Sequence, residues 1–304
     1  MKKKIRVIIR YLPLYLMMVP GFIYLIINNY IPLAGLTIAF KNVNFQKGIW
    51  KSDWCGFKNF EFLFRTKDAW IITRNTILYN LAFIVIGTAF AVLIAILVCD
   101  MKNRLFAKMC QSIIILPSLI SMVVVSVLAY VMLSTNAGTL NKMIKALGGD
   151  GVNWYSTPNA WPVIILLVYL WKNAGFQCVL FIASIIGISP DYFEAARIDG
   201  ATKWQQVRYI TLPSIKPTII MVVILALGKI FYSDFGLFYQ VTRDSGALYA
   251  TTNTIDTYVF RGLITLNDIG MSSAAGFYQS MVGFALVLVS NLIIRKFNKE
   301  SALF

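Results

Sequence analysis

Long apolar stretches dominate the pattern of hydrophobic and polar positions along the chain. Six of them reach about 20 residues, the length that an α-helix needs to cross the hydrocarbon core of a bilayer. None shows the ten-residue alternation of a transmembrane β-strand, so the pattern predicts helices. The six predicted spans lie near 12–31, 77–98, 112–133, 161–186, 214–238 and 275–294.

The amino-acid composition supports this prediction. Hydrophobic residues make up 58% of the 304 residues and charged residues only 13%, whereas soluble domains carry about 45–50% and about 25%. So few charged side chains cannot cover a surface that faces water, which excludes an ordinary soluble enzyme and a disulfide-stapled secreted domain. We predict an all-α membrane protein with six transmembrane helices, forming one domain over 1–304 with core spans over about 70–297.

The basic residues indicate how the chain crosses the membrane. Lys and Arg are about twofold denser in one set of alternating stretches than in the other, and cytoplasmic stretches carry such an excess. We therefore predict that both termini are cytoplasmic and that the net charge of +15 reflects these stretches rather than nucleic-acid binding. A basic segment precedes the first span without a small-residue cleavage site after it, which favours an uncleaved helix. The predicted cytoplasmic stretches are 1–11, 99–111, 187–213 and 295–304, and the predicted external ones are 32–76, 134–160 and 239–274.

Side chains that carry catalysis or bind metals are scarce. The chain has no histidine, and its four cysteines form no CxxC pair or metal-like cluster. The nearest glycine–lysine pair, Gly228-Lys229, lacks the upstream glycine and the following Ser/Thr of a phosphate-binding loop. We predict that the chain binds no metal or cofactor, has no nucleotide site of its own and is not an enzyme.

The predicted cytoplasmic loop 189–213 has strong local structure signals. Ser189 is a good N-cap residue, and Pro190 suits the first position of a helix. Gly200 lies where that short helix would end. A second short helix is predicted over 202–213. A simple connection between two spans would not need this much ordered sequence of mixed polarity.

The same loop contains a long motif with fixed spacing. Glu194-Ala195-Ala196 is followed after three residues by Gly200, after nine more by Ile210, and then by Leu212-Pro213. This pattern resembles the EAA loop of the permease subunits of ATP-binding-cassette (ABC) importers. Ile198-Asp199-Gly200-Ala201-Thr202 is similar to the carbohydrate-uptake, maltose-permease-like branch of that family.

The resemblance covers nearly the whole chain. One departure is Val207, at a position where the family commonly has a bulky aromatic residue. The further matching segments are Ile31-Pro32-Leu33-Ala34-Gly35, Gly56-Phe57-Lys58-Asn59-Phe60, Leu116-Pro117 and Ser272-Ser273-Ala274-Ala275-Gly276.

The resemblance implies a type I ABC importer permease in the bacterial plasma membrane. Its partners would be a second, homologous permease subunit, two cytoplasmic ATPase subunits that bind ATP and Mg, and an extracellular solute-binding lipoprotein that delivers a carbohydrate, with an oligosaccharide favoured. The loop would seat in a cleft on the ATPase, where small side chains permit close contact and a glycine permits a sharp turn. The implied ATPase-coupling residues are Glu194, Ala195, Ala196, Asp199, Gly200, Ala201, Leu212 and Pro213.

Polar side chains within predicted spans four to six are candidates for a substrate pathway. Such groups are costly in lipid and normally face a bundle interior or a water-filled cavity. Amides and carboxylates bind sugar hydroxyls, and aromatic rings cover the apolar face of a sugar. Hydrogen bonds that pack helices together are the alternative for Asn173, Gln177 and Asp234, and Lys172 and Lys229 are expected to pair with Asp234 or to snorkel. The pathway candidates are Asn173, Gln177, Phe231, Tyr232, Asp234, Phe235, Tyr278 and Gln279.

Other readings stay open at this point. An ABC permease for a solute other than sugar is the nearest alternative. An ion-coupled secondary transporter would need buried acidic groups, which spans two to four lack. The aromatic external loop 32–76 fits either an interfacial belt or a surface that receives an external partner. Gly175, near Trp171 and Phe176, is predicted to mark close helix packing.

Overall fold

The computed structural model describes residues 2–297 and consists almost entirely of helices. Met1 and the residues 298–304, which include most of the predicted cytoplasmic stretch 295–304, lie outside the described residues. The α-helices are α1 Lys2–Leu25, α2 Ile31–Leu33, α3 Gly48–Lys51, α4 Glu61–Arg65, α5 Asp68–Ala82, α6 Thr88–Cys99, α7 Arg104–Leu119, α8 Met122–Leu133, α9 Thr139–Ala146, α10 Trp161–Ile186, α11 Pro190–Ile198, α12 Lys203–Gln206, α13 Leu212–Leu227, α14 Tyr249–Thr252, α15 Ile255–Ile264 and α16 Ile269–Phe297.

Tighter or wider helical turns join several of these helices. The two strands, β1 Lys41–Asn42 and β2 Asp53–Trp54, pair antiparallel in a small hairpin. The π-helical turns are Ile26–Tyr30, Phe83–Gly87, Val207–Thr211 and Gly236–Val241, and the 3-10 turns are Ala34–Phe40, Lys58–Phe60, Trp154–Ser156, Pro158–Ala160 and Gly246–Leu248.

Five helical segments of the described chain are long and apolar enough to cross a membrane. The number becomes six if a bent pair, α7 with α8, counts as one span. The prediction of a helical protein with several apolar spans is therefore confirmed, and α10 has the predicted bounds of the fourth span. The five segments are Tyr11–Phe40, Asp68–Cys99, Pro158–Ile186, Lys203–Leu227 and Ile269–Leu292.

The predicted third span near 112–133 is not one continuous helix. α7 ends at Leu119, α8 begins at Met122, and their axes differ by 98°. Pro117 lies in the last turn of α7, and the Ser121 side chain caps α8 by accepting a hydrogen bond from the Val124 N–H. A proline followed by a serine N-cap ends one helix and starts another even though the apolar run continues.

The predicted fifth span over 214–238 is wrong in its second half. α13 ends at Leu227, and the chain leaves the helix until Phe235. Gly228 follows the last helical residue, and Asp234 Oδ1 accepts a hydrogen bond from the Leu237 N–H, 3.1 Å away, at the start of the next turn. Because these stop and start signals lie among aromatic residues, hydropathy alone does not reveal the break.

The structure divides into two compact units. The first comprises Met1–Arg65 with Val259–Phe277, and includes the first apolar segment and the β-hairpin. The second comprises Thr66–Tyr258 with Tyr278–Phe304 and includes the motif loop and the pathway candidates. The prediction of one domain over 1–304 stays a prediction.

Two apolar cores stabilise the second unit. The first surrounds the fully buried Trp161 and Ile165, and the second surrounds Phe181 and Ile215. Helix α10 contributes to both cores and packs against α6, α7 and α13. The close approach of α10 and α7 depends on Gly175, because a Cβ atom there would overlap with the Ile114 carbonyl oxygen. The prediction that Gly175 marks close helix packing is confirmed.

Candidate functional site

The first half of the motif loop is a short capped helix, α11. The Ser189 hydroxyl accepts a hydrogen bond from the Asp191 N–H, and Pro190 occupies the first turn. The helix ends as predicted before Gly200, whose φ is +77°. The Ala201 N–H donates to the Ala196 carbonyl at 2.8 Å, and the Gly200 N–H donates to the Arg197 carbonyl at 3.1 Å. These bonds form a Schellman motif, in which the left-handed glycine lets the chain turn sharply.

The second half of the loop does not form the separate short helix predicted over 202–213. Thr202 and Gln205 form a capping box that starts α12. The helix then continues through the π-helical turn Val207–Thr211 into α13, as one segment, Lys203–Leu227. A wider turn just before Pro213 is a local adjustment of the kind that lets a helix continue through a proline.

The motif residues form an exposed surface at this turn. Glu194, Ala195, Asp199 and Gly200 are exposed, and Ala196 and Ala201 are half-buried. Two large side chains of α11 that sequence reasoning missed lie beside them, with Ile198 86% exposed and Tyr192 64% exposed. The sequence contained a signal for Tyr192, because Ala195 and Ala196 follow it by three and four residues and therefore share its helix face.

One exposed ion pair ties the loop to the rest of the second unit. Lys203 pairs with Asp100, the residue after α6. Of the other two predicted coupling residues, Leu212 is half-buried and Pro213 is exposed at the first turn of α13. The surface therefore presents the acidic side chains of Glu194 and Asp199, small side chains and exposed apolar side chains on an ordered backbone.

The polar candidates on α10 lie beside the π-helical turn of the second apolar segment. Asn173 Nδ2 donates to the Tyr169 carbonyl at 3.2 Å. Gln177 Oε1 is buried, and no donor lies in hydrogen-bonding geometry with it among the described residues. A Cβ atom on Gly87 would lie 3.9 Å from this oxygen, and Tyr169 stacks on Phe83 with ring centroids 3.8 Å apart. Gln177 thus lies against the turn Phe83–Gly87, and Asn173 binds the backbone of its own helix one turn earlier.

Three side chains stabilise the break after α13. The Asp256 carboxylate accepts hydrogen bonds from the Ser233 N–H at 2.7 Å and from the Ser233 hydroxyl at 2.6 Å. Gln279 Nε2 donates to the Phe231 carbonyl at 2.9 Å and to Asp256 at 3.1 Å. Asn80 Nδ2 donates to the Tyr232 carbonyl at 3.0 Å. Three backbone groups released by the break are therefore paired within the protein, namely the Ser233 N–H and the Phe231 and Tyr232 carbonyls.

Sequence reasoning missed Asp256 and Asn80, and it placed Gln279 among the pathway candidates. Gln279 is buried, and its amide is engaged in the break. Tyr278 lies in the same group, edge-on to Phe231 with centroids 5.9 Å apart and hydrogen-bonded to Thr73. No local signal identifies Asp256, because its partners are 23 residues away along the chain.

Lys172 does not form the ion pair with Asp234 that was one of its two expected roles. Lys172 donates to the backbone carbonyls of Pro117, Ser118 and Ile120, at the end of α7, rather than to Asp234. Asp234 is exposed and begins the turn that continues with Phe235, which stacks on Tyr239 with centroids 4.9 Å apart. Lys172 therefore stabilises the bend between α7 and α8 by binding the free carbonyls of a helix end.

We expect replacement of Asp256 by alanine to destabilise the second unit by about 1–3 kcal/mol, because the donors of the half-buried Ser233 and the buried Gln279 lose their acceptor. Thermal unfolding of the purified, detergent-solubilised protein measures this. Asp150→Ala, which removes an exposed carboxylate from the loop after α9, is the control. An unchanged midpoint for Asp256→Ala would show that this carboxylate does not hold the break together.

A cavity of about 450 Å³ lies between α5 and α10, with Thr251 of α14 at its edge. Its wall is mostly apolar and includes Tyr79 and Leu166, with Arg74 and Asn75 at one side. None of the eight pathway candidates lines it. In the part of the chain that the structure describes, no group of His, Cys, Asp and Glu could hold a metal ion.

Comparisons with known proteins identify the family. Residues 87–299 match the family described as binding-protein-dependent transport system inner membrane component. Protein LplB of Bacillus subtilis is 31% identical over 94% of this chain and 90% of its own length. The polygalacturonan/rhamnogalacturonan transport system permease protein YteP, also of Bacillus subtilis, is 31% identical over 94% of this chain and 89% of its own length.

A solved structure has the same fold. It belongs to a bacterial ABC transporter involved in the import of the acidic polysaccharide alginate, and the matched chain superposes with a TM-score of 0.88 at 30% identity over 97% of this chain and 99% of that chain. The predicted family, the membrane location and the type I permease fold are confirmed. This chain belongs to the family of inner membrane components of binding-protein-dependent transport systems.

Proposed function

We propose that this chain is the permease subunit that forms half of the translocation pathway of an ABC importer for an oligosaccharide. The observation that carries the coupling role is the exposed loop 189–213. It presents Glu194, the small residues beside it and the unpartnered Ile198 on a capped, ordered turn. A rigid surface of this kind transmits a push from a closing ATPase better than a flexible loop does.

The names of the relatives support an oligosaccharide as the transported substrate. The names of two of them specify polygalacturonan/rhamnogalacturonan and alginate, both of which are sugar polymers. A solved alginate transporter is in complex with a periplasmic protein that holds an alginate pentasaccharide. By the same logic, this chain receives its sugar from an extracellular binding lipoprotein, pairs with a second permease subunit and depends on two ATPase subunits for ATP and Mg.

The proposed topology has six spans with both termini in the cytoplasm. It counts α7 and α8 as one broken span and is supported by the higher density of basic residues in the stretches assigned to the cytoplasm. It places the motif loop on the ATPase side. The single permease domain over 1–304 and the coupling roles of its motif residues belong to the same proposal.

Sugar-stimulated ATP hydrolysis tests this function. The importer is reconstituted with its binding protein and supplied with acidic oligosaccharides of defined length, with single sugars, and with amino acids. We expect stimulation by oligosaccharides. Stimulation by amino acids but not by sugars would be consistent with an ABC importer and would exclude a sugar as its substrate.

Within this function, Asn173 and Gln177 are proposed to border the sugar pathway, since Gln177 Oε1 is buried and has no hydrogen-bond donor among the described residues. Losing one hydrogen bond to a sugar hydroxyl lowers affinity by about 1 kcal/mol, or roughly fivefold. Asn173→Ala and Gln177→Ala should therefore raise the KM of uptake while the assembled importer persists. Gln46→Ala, at an exposed amide in the first unit, is the control. Unchanged uptake kinetics in both pathway variants would place the sugar elsewhere, along the partner permease.

A further inference from the structure

The first apolar segment runs directly into a small folded element that the proposed transport function does not use. Helical structure continues to Phe40, and β1 begins at Lys41. The Cys55 N–H donates to the Phe40 carbonyl at 2.9 Å, so the return strand is bonded to the helix end itself. We call residues 41–60 the outer hairpin.

The depth of the outer hairpin follows from the length of the segment before it. Tyr11–Phe40 has 30 residues, and at about 1.5 Å per residue a helix of that length is about 45 Å long, which matches the hydrocarbon core together with the headgroup regions on both sides, about 40–45 Å. No linker separates the helix from the hairpin. The hairpin therefore begins at the depth of the lipid headgroups.

A buried lysine makes the hairpin rigid. Lys41 is only 5% exposed, and its ammonium donates to the carbonyls of Ile49 at 3.3 Å and Trp50 at 2.8 Å. The same ammonium lies 5.9 Å from the Trp50 ring centroid and 5.5 Å from that of Trp54. Asn59 Nδ2 donates to the Ala39 and Lys41 carbonyls, which attaches the end of the hairpin to its beginning.

The aromatic side chains form a continuous patch on this frame. The Phe40 ring lies 6.4 Å from Trp54 and 5.5 Å from Phe57, centroid to centroid. Beneath it, Phe60 and Phe277 are 5.3 Å and 5.2 Å away. The outer members are open to solvent: Trp50 is 69%, Trp54 67% and Phe57 75% exposed.

An exposed patch of large aromatic side chains marks a contact surface. Tryptophan is enriched at headgroup depth, where an apolar ring with one N–H group is favoured. Lys51 and Lys58, both exposed, lie on the same hairpin, and lysines near a membrane surface attract anionic lipid. The hairpin therefore combines headgroup depth, exposed rings and positive charge.

We propose that the outer hairpin is an interfacial anchor that binds anionic phospholipid headgroups at the outer leaflet, through Trp50, Trp54 and Phe57 with Lys51 and Lys58. The placement of the hairpin at the outer leaflet rests on the proposed topology. A lipid surface is favoured over the binding protein because the hairpin has no linker that would lift it away from the end of the span.

Neighbouring strand residues provide a matched test. Trp54 and Asp53 are consecutive in β2 and both exposed, and consecutive strand side chains point to opposite faces. With the four native cysteines replaced by serine, Trp54→Cys and Asp53→Cys are each labelled with bimane. The complete importer is placed in nanodiscs containing phospholipids brominated near the top of the acyl chains.

We expect bromolipid to quench the label at position 54 at least roughly twofold more than the label at position 53, and more strongly when phosphatidylglycerol is included. In the Lys51→Gln/Lys58→Gln double variant, the additional quenching that depends on phosphatidylglycerol should be lost. Equal quenching at both positions, or a response at position 54 only after the binding protein is added, would overturn the proposal. Labelling of Lys58→Cys by an impermeant thiol reagent in intact cells tests whether the hairpin lies on the outer face of the membrane. Sugar-stimulated ATP hydrolysis reports the transport function independently of lipid binding and of this location.

Discussion

Ile198→Asp is expected to leave the permease in the membrane but to abolish uptake, because the importer loses its ATPase subunits. The side chain is 86% exposed, so the substitution removes little internal packing. At a seated surface, however, it buries an unpaired charge, which costs several kcal/mol. Glu194→Lys should act in the same direction by reversing the charge of the same surface. Co-purification of the ATPase with the tagged permease measures the effect.

Two glycine substitutions distinguish a loss of ATPase coupling from the effect of backbone strain alone. Gly200→Val places a β-branched side chain at a φ of +77°, and Gly148→Val does the same at +83° in a predicted external loop. Neither new Cβ atom meets another atom within 4 Å, so both variants carry similar local strain, about 1–2 kcal/mol. Only Gly200→Val should release the ATPase. Wild-type ATPase yield and normal uptake in all the loop variants would refute the coupling role.

Gly175→Ala is expected to have the largest effect on stability. A Cβ atom there would overlap with the backbone carbonyl of Ile114, and a helix backbone yields less easily than a side chain. Overpacking of this kind costs about 3 kcal/mol, at the upper end of its usual range. The thermal unfolding midpoint and the yield of folded protein in detergent should therefore fall.

Gly21→Ala is the matched control for this prediction. Gly21 also lies in an apolar helix, but a Cβ atom there meets nothing within 4 Å. Alanine favours helix over glycine by about 1 kcal/mol, so Gly21→Ala should be neutral or stabilising. Equal midpoints for the two variants would contradict the close packing of α7 against α10.

Local signals identified the elements whose hydrogen bonds are local. The fourth span was predictable because its apolar run contains no proline between Trp161 and Ile186 except Pro162 in the first turn, where proline is tolerated. The end of α11 at Gly200 was predictable because a Schellman motif needs only residues five apart. The motif spacing in the same loop identified the family for the same reason.

The breaks in the third and fifth spans have local stop and start signals, and partners from elsewhere in the chain stabilise them. Lys172 binds carbonyls about 50 positions earlier, and Asp256 and Gln279 bind the break around Phe231 and Ser233 from later segments. A hydropathy profile averages the hydropathy of the residues within a short window, so it contains no information about such distant partners. The same limit placed Gln279 among the pathway candidates, although its amide is engaged in the break.

The sequence by itself determined the helical membrane architecture, the family and the shape of the first half of the motif loop, because hydrophobic length, capping residues and spacing act over a few turns of chain. Only the tertiary structure decided where the helices bend, which polar side chains are already paired, and which stay available to a ligand. Backbone groups released inside a membrane protein must be paired by the protein itself, and the residues that pair them come together only when distant helices pack.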